Sequence, residues 1–165
     1  VWIYQASRPF SSKEKEKLDQ QLQEFLKKWT AHGTDLITGY EIPYDRFIVI
    51  GLDEQNQGAT GCSIDSSVRF IQSIEKQYQI ELLDKMNVTH KRGNELLYTP
   101  LKEFRSLAKK RKVTTETIVF NNLVVDKEEY LIHWEGPVGN SWHSEQAQSV
   151  YRVNYLLHRE NMHQS

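Results

Sequence analysis

The sequence predicts an α+β fold, with a mixed or antiparallel sheet and helices packed mainly on one face. Three observations lead there. The first half alternates strand-like and helix-like stretches in the order β-α-β-β-α. Residues 11–29 carry a helical stripe of Leu18, Leu22, Phe25, Leu26 and Trp29. Phe47-Ile48-Val49-Ile50 is a short apolar run with the length and composition of a central strand.

The elements follow in order. Residues 1–6 have strand composition. The helix over 11–29 opens on Ser11 with Glu14 three residues later, the pattern of a capping box, and Gly33 closes it. Strands are expected over 36–44 and 46–53, with a turn at Pro43. A polar, glycine-bearing loop follows over 54–61. A second helix is expected over 64–78, with Ile64, Val68, Ile71, Ile74 and Tyr78 on one side, Ser63 as N-cap and Asp65 in its first turn. Residues 87–90 and 96–98 suit a hairpin across Arg92-Gly93-Asn94. Thr99-Pro100 reads as a cap and first-turn proline for a helix that turns Leu101, Phe104, Leu107 and Ala108 inward. A strand over 117–125, a short helix from Asp126 to Trp134 and a loop over 136–139 complete the pattern. Residues 1–143 read as one domain, compatible with a subdivision near residue 85. Residues 144–165 read as a tail, partly helical or mobile, with a stripe of Val150, Val153 and Leu157.

Composition narrows the function classes. Lys plus Arg number 21 against 22 Asp plus Glu, so no net charge draws the chain to nucleic acid or to an anionic membrane. The basic run Lys109-Lys110-Arg111-Lys112 ends a predicted helix, where cations complement the dipole; nucleic acid is therefore not an expected partner. No apolar run reaches membrane-spanning length. One cysteine excludes an internal disulfide and points to a reducing, cytoplasmic compartment. A protein partner or a small molecule remains, with no cofactor motif present; the sequence leaves enzyme or binding module open.

Candidate chemistry centres on residues 58–67, GATGCSIDSS, which hold the lone Cys62 between glycines and a helix start. Unpaired N–H groups and the dipole at such a start favour anions and thiolates. Cys62 would need a base, with His32, His90 or His143 available and no spacing rule to choose among them; otherwise it is a small packing residue. Gly58, Gly61, Ser63, Ser66 and Ser67 offer amides and hydroxyls for an anionic ligand around Cys62. Asp65 opposes that charge, and no P-loop lysine follows the glycines. Asp53, Glu54 and Asp65 supply oxygen ligands for a divalent cation, or form an ordinary solvated acidic loop. Trp29-Thr30-Ala31-His32-Gly33 and Ser141-Trp142-His143 each place Trp near His, as pocket walls or as core tryptophan with surface histidine. Asn121 and Asn122 interrupt an apolar stretch, as ligand amides or as a turn.

Phe47–Ile50 with Asp53-Glu54, the GATGCSIDSS segment, residues 117–124 (TIVFNNLV) and Ser141-Trp142-His143 together resemble a family of uncharacterised bacterial proteins of similar length. The resemblance covers residues 1–143. Its members often carry the automatic label of an ABC-transporter ATPase. This chain has no Walker lysine motif to support that label, and the resemblance implies no activity for particular residues. Two expectations follow. The leading one is a non-enzymatic binding module with its site at residues 58–67. The alternative is a small hydrolase or transferase using Cys62 or the carboxylate set.

Overall fold

The computed structural model describes residues 1–55 and 57–147. The fold is α+β, all its strand pairs are antiparallel, and the described chain forms two compact units. Unit 1 holds Val1–Asp84 with Val125–Lys127; unit 2 holds Lys85–Val124 and the described residues from Glu128 onward.

In unit 1, β1 (Trp2–Gln5), β5 (Phe47–Asp53) and β4 (Ile37–Glu41) form a three-stranded sheet in the order β1-β5-β4. The apolar run is the central strand, as its composition predicts, with all four of Phe47, Ile48, Val49 and Ile50 buried. Alternation sends Ile48 and Ile50 to one face, where they pack with Tyr4 against α1 (Ser12–Lys28) and α2 (Gly61–Tyr78). Leu18, Leu22 and Leu26 of α1 meet Ile71, Ile74 and Tyr78 of α2 in this core. The Ser11–Glu14 capping box forms in full. Arg8 also grips both Glu14 oxygens at 2.8 and 3.0 Å and donates to the Tyr78 carbonyl at 2.7 Å, tying the start of α1 to the end of α2. That pairing, with the Ser11 amide, holds the Glu14 carboxyl down to about 2.

Between α1 and β4 lies a small hairpin of β2 (Thr30–Ala31) and β3 (Thr34–Asp35), where the sequence shows only the end of a helix. Its two turn residues, His32 and Gly33, both have positive φ (51° and 75°), the conformation a two-residue hairpin requires.

In unit 2, β6 (Asn87–Arg92), β7 (Glu95–Pro100), β8 (Ile118–Phe120) and β9 (Glu135–Pro137) form a sheet ordered β7-β6-β8-β9. The expected hairpin is longer than predicted and turns on Gly93-Asn94, with Gly93 at φ 62°. Thr99 lies inside β7, so it is not a helix cap; α3 (Leu101–Lys109) follows Pro100 directly. The strand expected over 117–125 stops at Phe120. The Asn121 amide donates to the Trp134 carbonyl, and the Asn121 side chain accepts from Leu123 N, which turns the chain. Asn122 accepts from Trp134 Nε1 at 3.0 Å, so the paired amides secure a loop. The short helix α4 spans Lys127–His133. Phe104 and Ala108 of α3 pack with Val88, Val113, Val119, Val138 and Ala147 in a second core. Residues 143–147 are helical, and the Val150, Val153 and Leu157 stripe lies outside the described residues.

Candidate functional site

Residues 58–67 enter α2 one turn earlier than the sequence suggests. The helix begins at Gly61 and its N-cap is Thr60, not Ser63. Ser63 is the third helical residue and completes a reciprocal box. Thr60 Oγ1 accepts from the Ser63 amide at 3.3 Å, and Ser63 Oγ accepts from the Thr60 amide at 2.6 Å. Replacing Thr60 by Ala is expected to cost unit 1 about 0.5–2 kcal/mol, with Thr60→Ser near neutral, as read by urea unfolding.

The serines expected to face an anion point elsewhere. Ser66 Oγ donates to the Ser63 carbonyl at 2.9 Å, and Ser67 Oγ donates to the Ile64 carbonyl at 2.6 Å. Ser63 and Ser67 are buried. Each hydroxyl donates within its own helix, so the segment offers an anion only amides, beside the charge of Asp65.

Trp29 fixes this helix start from the core side. Its Nε1 donates to the Ser63 carbonyl at 2.8 Å, and its ring meets Trp2 edge-on at 5.8 Å and Phe25 at 5.7 Å. Phe25 in turn stacks on Phe70 of α2 at 4.4 Å. The two motif segments WTAHG and GATGCSIDSS thus meet through Trp29, a link with no signature in spacing. His32 of the same motif stands exposed on the β2–β3 turn.

Cys62 is exposed, which rules out the packing role. No hydrogen bond among the described residues joins it to a histidine. Gly61, Ile64 and Asp65 are exposed beside it, and the space where a Gly61 side chain would stand is open. Asp53 and Glu54 are exposed, and Asp53 Oδ1 accepts from Gln55 N at 3.0 Å, closing a local turn. Among the described residues no three His, Cys, Asp or Glu side chains gather at metal-holding distance, so Asp53, Glu54 and Asp65 do not form the cation set considered for them.

His143, another of the three possible bases, lies in unit 2 and is buried, which excludes the surface-histidine alternative. Its Nδ1 shares a 2.6 Å hydrogen bond with Ser141 Oγ, its ring stacks on Trp142 at 3.9 Å, and Phe104 meets it edge-on at 6.0 Å. Burial, and then the neighbouring His90, hold it down to about 4. His90 is buried too, with Nε2 2.9 Å from Thr99 Oγ1. A nearby cleft of about 90 Å³, bordered by Val119, Trp134, Glu135, Asn140 and Ser141, is small beside the roughly 300–1,000 Å³ of ordinary ligand pockets. The basic residues Lys109 to Lys112 are exposed, with Arg111 at φ 56°. No described helix is long and apolar enough to cross a membrane.

Comparison with protein families, curated proteins and solved structures found no match.

Proposed function

We propose that the chain is a non-enzymatic cytoplasmic binding module that contacts a protein partner through the exposed start of α2. One observation carries the reading: the first two turns of α2 are divided. Their inner side is fixed by Trp29 and by the capping serines, and their outer side leaves Gly61, Cys62, Ile64 and Asp65 to solvent. An exposed face with one apolar and one acidic side chain suits contact with another surface. Its hydroxyls are spent internally, which favours a protein over a small anion. A hydrolase or transferase using Cys62 or the Asp53, Glu54 and Asp65 carboxylates would need a base or a metal set beside them; among the described residues no hydrogen bond joins Cys62 to a histidine and no three metal-ligating side chains gather.

The test is co-purification with the wild-type chain, compared with Ile64→Glu and Asp65→Lys. Both positions are exposed, so each change should leave the unfolding free energy within about 0.5 kcal/mol of wild type. A partner bound through this face is lost by tenfold or more in both variants. Capture that survives both substitutions, or saturable binding of a small anion instead, sinks the reading.

A further inference from the structure

Unit 2 contains a device independent of the α2 surface. We propose that His90 and His143, both packed edge-on against Phe104, form an acid-sensitive latch that opens this unit when they take up protons. The geometry offers a charged imidazole little water and no compensating charge among the described residues. Both side chains sit in the second core at 3% and 1% exposure, with hydroxyl partners only, Thr99 for His90 and Ser141 for His143. Neither has a carboxylate partner among the described residues.

The surroundings make this worse for a cation. On β6, Arg92 pushes His90 further from protonation, and Lys91 is paired with Glu135 of β9. The nearest acid on β7, Glu95, is committed to Arg92 at 3.1 Å. β8 places Val119 opposite His90. On α3, Lys102 and Glu103 are exposed, and Arg105 bonds Gln146. From residues 141–147 come Ser141 and Trp142, with Glu145 exposed. Protonating both histidines puts two like charges around one phenyl ring, without a counter-ion among the described residues.

The sign follows from linkage. Both histidines are harder to protonate folded than unfolded, so the unfolded chain binds more protons as pH falls below 6.5. Stability of unit 2 is full above that point and declines until pH passes the folded value, about 4 for His143. In unit 1 the paired carboxyl Glu14 responds lower, below its ordinary 4.5. A pH of 5 therefore separates the units.

The experiment is hydrogen exchange by mass spectrometry on the whole chain at pH 7 and pH 5, with intrinsic exchange rates divided out. The opening constant of peptides from residues 85–124 and 128–147 should rise about 20-fold from His143 alone, with His90 adding to it, while peptides from residues 1–84 change less than about twofold. His143→Gln and His90→Gln should each reduce the rise. An equal response in both units overturns the proposal. Should a variant fail to fold, proton NMR of the wild-type imidazoles decides: two buried rings still neutral at pH 5.5 support the latch, and titration of both near 6.5 overturns it.

Discussion

Trp29→Ala is expected to destabilise unit 1 by about 3–5 kcal/mol, a large share of the 5–15 kcal/mol typical of a domain. The ring is 3% exposed and joins Trp2, Phe25 and, through Phe25, Phe70 of α2. Truncation would leave a large cavity between α1 and the start of α2. The hydrogen bond contributes less. The Ser63 carbonyl that Trp29 serves also accepts from Ser66 Oγ, so it is not orphaned when the indole goes. Trp29→Phe, which keeps most of the ring contact, should therefore cost only about 1 kcal/mol. Urea unfolding followed by far-UV circular dichroism gives both values. Equal losses for Phe and Ala would mean that the indole N–H, and not the aromatic stack, holds the helix start.

The same variant bears on the proposed contact face. If Trp29 positions the outer residues of α2 from below, Trp29→Ala weakens partner binding along with stability, whereas Ile64→Glu affects binding alone. The two effects have separate origins because Trp29 is core and Ile64 is 38% exposed.

What the sequence reveals depends on how local the cause is. The central strand and α1 are legible because periodicity and a Ser11–Glu14 box act within a few residues. The start of α2 is harder. Thr60 and Ser63 are both cap-forming types, and the box places Ser63 where Glu or Gln is usual. The β2–β3 hairpin is hidden because His32 occupies a left-handed position normally marked by Asn, Asp or Gly. His143 shows the limit. Ser-Trp-His-Ser is a polar pattern, and its burial comes from Phe104, 39 positions away in the chain, with no local sign. The exposure of Cys62 is equally a tertiary fact: the inner side of α2 is filled by Ile71, Ile74 and the Trp29 contact, which leaves residue 62 outside.

Phe104→Ala should produce the second large effect, and a smaller one at acid pH. Phe104 is fully buried between α3 and the sheet of unit 2, so truncation is expected to cost about 3–5 kcal/mol at pH 7. The ring also excludes water from both imidazoles, at 5.4 Å from His90 and 6.0 Å from His143. With His143 held down to about 4 from its ordinary 6.5, the intact unit loses about 3 kcal/mol on going from pH 7 to pH 4. Opening the Phe104 site lets water reach the rings, which eases their protonation in the folded state and shrinks that loss. The variant is thus weaker than wild type at pH 7, but its stability falls less steeply between pH 6.5 and 4. Parallel denaturant titrations at pH 7, 6, 5 and 4.5 measure both the offset and the slope. A variant that is simply offset by a constant amount would show that Phe104 fills volume without desolvating the histidines. A slope that flattens as the offset appears would show that one phenyl ring both holds the core together and makes it sensitive to acid.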